Sequence, residues 1–344
     1  MPLCAFPRNI VGFRDHLAPL RKLAGAAMVA LVLGGCLGVD GGAGAGDTRA
    51  MLPGDPALLV ATTRRAADPP GERPFFGPER GNGLSFARAR MAPPAEGLTA
   101  RVTNLVSGGW RVTGVEDVTR DDAADAFARA ALGKDVLLYI HGYRETFESA
   151  AVSAAELADG VGFRGAPGLF TWPSAGATLD YAYDRESAMW SRDALEDLLL
   201  TLAQSSSGGR VHIVAHSMGS LLTLETLRML RGSGGDQAMA RIGAVVLAAP
   251  DVDIDQFEQA VGRLGPEAPR ITVITSSRDR ALQASQRIAG GVARAGAAER
   301  ERLAALGVRV ADASDFGRGL LNHDLFLSNE EVRGVVARAI ERAR

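Results

Sequence analysis

Residues 211–219 read V-H-I-V-A-H-S-M-G. The β-branched apolar run from Val211 to Ala215 stops abruptly at small-x-Ser-x-Gly, with Ser217 at its centre. Such a run predicts a buried strand feeding a turn so tight that the residues two before and two after the serine must be small. The turn thrusts the Ser217 hydroxyl out at the head of the following helix, where a nucleophile would be presented.

From Lys134 onward the chain alternates apolar strands with amphipathic helices, the spacing of a mostly parallel sheet covered on both faces. Val136 to Ile140 is predicted as a strand ending in His141-Gly142-Tyr143, followed by a helix over about Thr146–Asp159 and a short strand, Gly168 to Trp172. A long helix is predicted over about Asp180–Gln204, with Leu195, Leu198, Leu199 and Leu202 at helical intervals. The elbow strand and its helix, through Leu230, come next, then strands at Ile242–Ala248, Ile271–Thr275 and Val308–Ala311. Upstream, Leu58 to Thr63 reads as a first strand, Asp68 to Gly83 as a Pro- and Gly-rich loop, and Leu84–Ala89 and Trp110–Val115 as further strands. The fold class is therefore α/β, and the 344 residues suffice for one large sheet with appendages.

The N-terminus reads differently. Arg21 and Lys22 precede an apolar run from Leu23 to Leu33 that closes in Leu33-Gly34-Gly35-Cys36. The run is too short to span a bilayer, which takes about 20 residues, but it suits a secretory core before a cleavage point. It resembles a bacterial lipoprotein signal, which implies cleavage before Cys36 and lipidation of that residue. Residues 1–35 are then the signal peptide, 36–56 a Gly- and Ala-rich tether, and 57–344 a globular domain. The expected location is the cell envelope, lipid-anchored and facing the periplasm, with a soluble secreted protein as the alternative. Cys4 and Cys36 are the two cysteines, so no pair would remain for a disulfide after cleavage.

A net charge of -2 gives no basic footprint, which argues against a nucleic-acid partner. No Cys/His cluster has zinc-ligand spacing and no Gly-rich loop suits a nucleotide, so neither metal nor cofactor is expected. The Arg-rich run from Arg287 to Arg302 reads as the solvated face of an Ala-rich helix, and Trp172 and Trp190 read as core.

A serine hydroxyl needs a neighbouring base to take its proton, and that base needs a carboxylate to hold its tautomer. Of the five histidines, His16 lies in the leader, His212 lies inside the elbow strand, His216 adjoins Ser217 with its side chain turned elsewhere, and His141 belongs to the His-Gly loop. His323, in Asn322-His323-Asp324-Leu325-Phe326 after the last strand, remains as the base. The acid is expected between Ser217 and His323 at the carboxyl end of a strand. Asp279 qualifies, as do Asp251 and Asp253, with helix capping the competing explanation at each place. Asp279 is preferred because it follows the penultimate strand. The oxyanion donors are expected to be the N–H groups of Met218, at a helix N-terminus, and Tyr143, in the His-Gly loop.

From about Leu58 to Ala339 the chain resembles the α/β-hydrolase superfamily, and within it a bacterial esterase/lipase-like family of unknown function, the domain-of-unknown-function 900 type. The likeness rests on Phe75-Phe76-Gly77, His141-Gly142-Tyr143, Phe170-Thr171-Trp172-Pro173-Ser174, Tyr183-Asp184-Arg185-Glu186-Ser187, Ala215-His216-Ser217-Met218-Gly219, Ala248-Ala249-Pro250-Asp251, Ser276-Ser277-Arg278-Asp279 and His323. The resemblance implies Ser217 as nucleophile, Asp279 as acid and His323 as base. Ala215 stands where many hydrolases have glycine, and Arg144 where the family often has asparagine. The expected function is a serine hydrolase acting on a carboxylic ester or thioester of a small molecule or lipid. The alternatives are a non-catalytic envelope binding or scaffold protein, and an acyltransferase or amidase using the same residues.

Overall fold

Strands buried on both faces alternate their side chains between two cores. In the computed structural model, which describes residues 56–94, 109–118, 134–176, 180–205, 209–316 and 323–343, the sequence runs from Val136 and Val211 divide this way. Leu138, Ile140, Ile213, Ala215, Val245, Leu247 and Val273 fill one core, while Leu137, Tyr139, Val214, Val246 and Ile274 fill the other. The period of two and the predominantly apolar runs, in which His212 and Thr272 are polar but buried, identify parallel strands with helices on both sides.

The strands are β1 (Ala57–Ala66), β2 (Phe76–Ala92), β3 (Arg111–Val118), β4 (Val136–Ile140), β5 (Ala166–Thr171), β6 (Val211–His216), β7 (Ile242–Ala248), β8 (Arg270–Thr275) and β9 (Arg309–Asp312). They form a sheet in the order β3-β2-β1-β5-β4-β6-β7-β8-β9, antiparallel at β1–β2 and β2–β3 and parallel elsewhere. The signal peptide, Cys36 and tether expected in the first 55 positions lie outside the described residues.

Helix α1 (Phe147–Gly160) covers one face, and Thr146 caps it by accepting from the Ser149 N–H. Helices α2 (Tyr181–Trp190), α3 (Arg192–Gln204) and α4 (Met218–Arg241) follow. Leu195, Leu198, Leu199 and Leu202 of α3 are buried in the first core, as their spacing predicts. Each such side chain removed from water contributes roughly 1.5–3 kcal/mol. The remaining helices used below are α5 (Ile254–Gly262), α6 (Arg280–Ile288), α7 (Arg300–Ala304), α8 (Leu325–Ser328) and α9 (Glu330–Glu341). From β4 the chain passes first to β5 on one side and then to β6 on the other. That reversal opens a crevice beyond the carboxyl ends of β4 and β6, where ligands bind in sheets of this kind.

Four local expectations are corrected. The stretch taken as a loop to Gly83 is strand from Phe76 onward. Gly81 permits it, since a Cβ there would lie 2.8 Å from the Arg64 carbonyl oxygen, where β1 is irregular in register. The long helix expected over 180–204 is two, broken at Ser191. The Ser191 hydroxyl donates to the Ser187 carbonyl (2.8 Å) and accepts from the Thr63 hydroxyl (2.8 Å), which ties the bend to β1. The Arg-rich run is not one solvated helix either. Gly290 and Gly291 take positive φ and end α6, and Arg294 is buried against Asp251. Trp172 is core, but Trp190 is 40% exposed, its ring under the Arg80 guanidinium at 5.4 Å.

Candidate active site

The three non-glycine residues with positive φ among the described residues are Arg144 (65°), Ser217 (50°) and Ala249 (46°). Each follows the carboxyl end of a central strand, β4, β6 or β7 respectively, so the backbone strain collects around one crevice. Ser217 is the turn itself, with φ 50° and ψ −118°. Its N–H donates to the Ala248 carbonyl (2.9 Å), and its own carbonyl accepts from Ser220 (3.0 Å) and Asp251 (3.2 Å) N–H groups. Those bonds hold a conformation that an isolated serine would leave.

Small residues are required here for identifiable reasons. A Cβ on Gly219 would overlap the His141 carbonyl oxygen and come within 2.7 Å of that of Ile140. A Cβ on Gly142 would lie 3.0 Å from both the Ser217 Cβ and the His216 Nδ1. The His-Gly loop therefore rests directly on the elbow.

His323 lies just ahead of α8, and its Nδ1 is 2.6 Å from Asp279 Oδ2. Asp279 is fully buried at the start of α6, and its other oxygen accepts from the Leu282 N–H at 3.0 Å. One carboxylate thus caps a helix and holds an imidazole, so the competing explanations for Asp279 both apply. The other acidic candidates are employed differently. Asp253 caps α5 by accepting from the Asp255 (2.8 Å) and Gln256 (3.1 Å) N–H groups. Asp251 is buried, pairs with Arg294 (3.1 Å), and accepts from the Tyr181 and Ser285 hydroxyls. Neither is bonded to His323.

Ser217 precedes Met218, the first residue of α4, whose N–H belongs to the helix's unpaired first turn. The other loop is organised by His141. The Trp172 backbone N–H donates to His141 Nε2 (3.1 Å), so that nitrogen is an acceptor and the proton resides on Nδ1, which donates to the Gly142 carbonyl (2.9 Å). In a planar trans peptide the carbonyl and the following N–H point in opposite directions. His141 therefore sets the plane that aims the Tyr143 N–H. Behind it, the Thr171 hydroxyl bonds His141 Nε2 (3.0 Å) and accepts from Arg64 Nε (2.8 Å). Buried Arg64 also donates to the carbonyls of Gly77, Ser174 and Glu145, and burial lowers its pKa to about 10. Asp184 completes the frame by accepting from the N–H groups of Arg144 (3.0 Å) and Ala175 (2.7 Å).

Sequence reasoning placed Ser217, Asp279 and His323 at this crevice but missed the residues that brace it. Thr171 and Asp184 stand in two of the stretches that carry the family resemblance, yet neither they nor Arg64 show a local signature of a bracing role. His216, read as turned away from the Ser217 hydroxyl, hydrogen-bonds the His323 carbonyl at 3.0 Å, a contact the sequence did not announce. His212, by contrast, lies far down β6, accepting from the Ala244 N–H (3.0 Å) and bonding Asp135 (3.1 Å). Among the described residues no group of three or more His, Cys, Asp or Glu side chains is placed to hold a metal ion.

Burial, then the nearby Arg64 charge, pushes the His141 imidazole down to about 3. The unfolded chain takes up this proton near pH 6.5, whereas the folded chain holds the ring neutral until about pH 3. The stability it contributes is therefore complete above pH 6.5 and is lost as pH falls from there toward 3. His216, also held low by burial, acts in the same direction. The melting temperature should fall on acidification from pH 6.5, with His141 contributing a slope of up to about 1.4 kcal/mol per pH unit. The His141→Gln variant should show a shallower fall, and an unchanged slope would contradict this assignment.

Residues 120–344 match the family described as "Alpha/beta hydrolase of unknown function (DUF900)". An uncharacterized protein of Nostoc sp. (alr1448) is 26% identical over 145 residues, 34% of this chain and 36% of that protein. The match thus spans about a third of that curated relative. Solved structures are similar at a lower level. The Pyrobaculum calidifontis esterase has a TM-score of 0.40 at 14% identity, covering 84% of this chain and 86% of its own. Est1E from Butyrivibrio proteoclasticus has a TM-score of 0.39 at 9% identity, covering 75% and 96%.

Proposed function

The chain belongs to this family of α/β hydrolases, and from that premise we propose that it is a serine hydrolase that cleaves a carboxylic ester or thioester through an acyl-enzyme. The observation that carries this reading is the 2.6 Å bond between Asp279 and His323 Nδ1 beside an elbow with Ser217 at φ 50°. With Nδ1 donating to the carboxylate, Nε2 is the nitrogen that accepts a proton. It takes the Ser217 proton as Oγ bonds to the carbonyl carbon, and the oxyanion rests on the Met218 and Tyr143 N–H groups. When the C–O or C–S bond breaks, Nε2–H protonates the departing alcohol or thiol. Water, deprotonated by the same nitrogen, then releases the acid and restores Ser217.

From this reading and the lipoprotein-like signal over residues 1–35, ahead of Cys36, we infer that the enzyme acts at the cell envelope on small-molecule or lipid esters. A panel of p-nitrophenyl esters of rising acyl length tests the chemistry. The wild type should hydrolyse at least one, and Ser217→Ala should lower that rate by more than about 10³-fold, to the residual that the oxyanion donors and binding alone support. Folded protein inert toward every ester and thioester offered would favour a binding role instead.

A further inference from the structure

We propose that His216 is a positioning residue, which ties the loop carrying the base to the residue next to the nucleophile through its Nε2–H bond to the His323 carbonyl. This deepens the serine-hydrolase reading and rests on it. The acceptor is a carbonyl oxygen at 3.0 Å, so His216 Nε2 bears the proton, and burial, which holds the imidazole well below its usual pKa, keeps the ring neutral with Nδ1 bare. Nδ1 faces the glycine of the oxyanion loop, within 3.0 Å of where a Gly142 Cβ would lie. The ring also packs against His323 (centroids 4.6 Å apart) and Phe326 (4.9 Å). One buried side chain thereby touches the His-Gly loop, the base loop and α8.

Two bonds fix His323. Asp279 orients its ring from one side, and His216 holds its backbone from the other. The two anchors have separate consequences. Losing the first changes the tautomer of the base. Losing the second leaves the tautomer intact and lets the whole residue shift relative to Ser217, whose position the elbow fixes. A displacement of that kind costs rate in the chemical step while substrate contacts elsewhere persist.

Substitutions at 216 separate the donor from the bulk. His216→Phe retains an aromatic ring but has no N–H, and His216→Met also lacks the donor while being more adaptable, so whichever folds carries the test. His216→Gln restores an N–H at similar reach. With p-nitrophenyl butyrate, kcat of the donor-less variant should fall roughly tenfold, with KM within about threefold of the wild type. His216→Gln should recover most of the lost kcat, and melting temperatures should be recorded for all variants. A donor-less variant with wild-type kcat, or a Gln variant no better than Phe or Met, would overturn the inference while wild-type turnover left the hydrolase reading intact. A wild type inert toward esters would overturn both.

Discussion

Asp279→Asn is expected to lower ester hydrolysis by about 10³–10⁴-fold with a change in folding stability of less than about 1 kcal/mol. The carboxylate has two duties that asparagine separates. Its Oδ1 accepts from the Leu282 N–H at 3.0 Å, which an amide oxygen can also do, so the cap on α6 survives. Its Oδ2 lies 2.6 Å from His323 Nδ1, where an amide would present N–H to N–H. The imidazole would then move its proton to Nε2 and could no longer accept one from Ser217. The matching change at the other acidic position has the opposite profile. Asp251→Asn leaves the buried Arg294 guanidinium, 3.1 Å away, without its counter-charge. Breaking such a pair costs about 3–5 kcal/mol, so stability should fall while the folded fraction still turns over. Measuring kcat/KM together with denaturant unfolding for both variants distinguishes them. Turnover surviving in Asp279→Asn and vanishing from folded Asp251→Asn would reverse the assignment.

Gly219→Ala should destabilise the protein by more than about 3 kcal/mol, and in a marginal fold this means little soluble protein. The added methyl would overlap the His141 carbonyl and lie 2.7 Å from that of Ile140, both main-chain atoms at the end of β4. Neither can swing aside as a flexible side chain would, so α4 must lift away from the sheet and take the elbow with it. Gly232 lies in the same helix, and a Cβ there meets nothing within 4 Å. Gly232→Ala should therefore stabilise by about 0.5–1 kcal/mol, through helix propensity alone. Urea unfolding of the pair checks both signs, and equal stabilities would contradict the close approach of α4 to β4.

How much of this was legible in the sequence follows from which interactions are local. The central strands are mostly apolar runs because both faces are buried, so β4, β6, β7 and β8 could be located from composition along the chain, with β4 and β7 at their observed limits. The start of β2 could not. Gly77, Pro78, Gly81 and Gly83 carry the signature of a loop, and their extended pairing depends on an irregular β1 that no local pattern announces. The break at Ser191 was hidden for a similar reason, since its cause is a bond to Thr63 across 128 positions of sequence.

The site divides in the same way. Ser217, Asp279 and His323 could be named because a tight turn, the end of a strand and the order along the chain each leave a mark in the sequence. The residues that brace them act at long range. Arg64 reaches Thr171 across 107 positions, and His216 reaches the His323 carbonyl across another 107. Arg294 was misread because an arginine among alanines looks solvated until the buried Asp251 is placed beside it.

The central claim, that Ser217 is the nucleophile of an acyl-transfer site, is tested most directly by fluorophosphonate labelling of the folded protein, with the adduct located by peptide mass spectrometry. The account predicts a covalent adduct on Ser217 that disappears in Ser217→Ala and weakens strongly in His323→Ala. Folded wild-type protein that takes up no label, or takes it up at another residue, would contradict it.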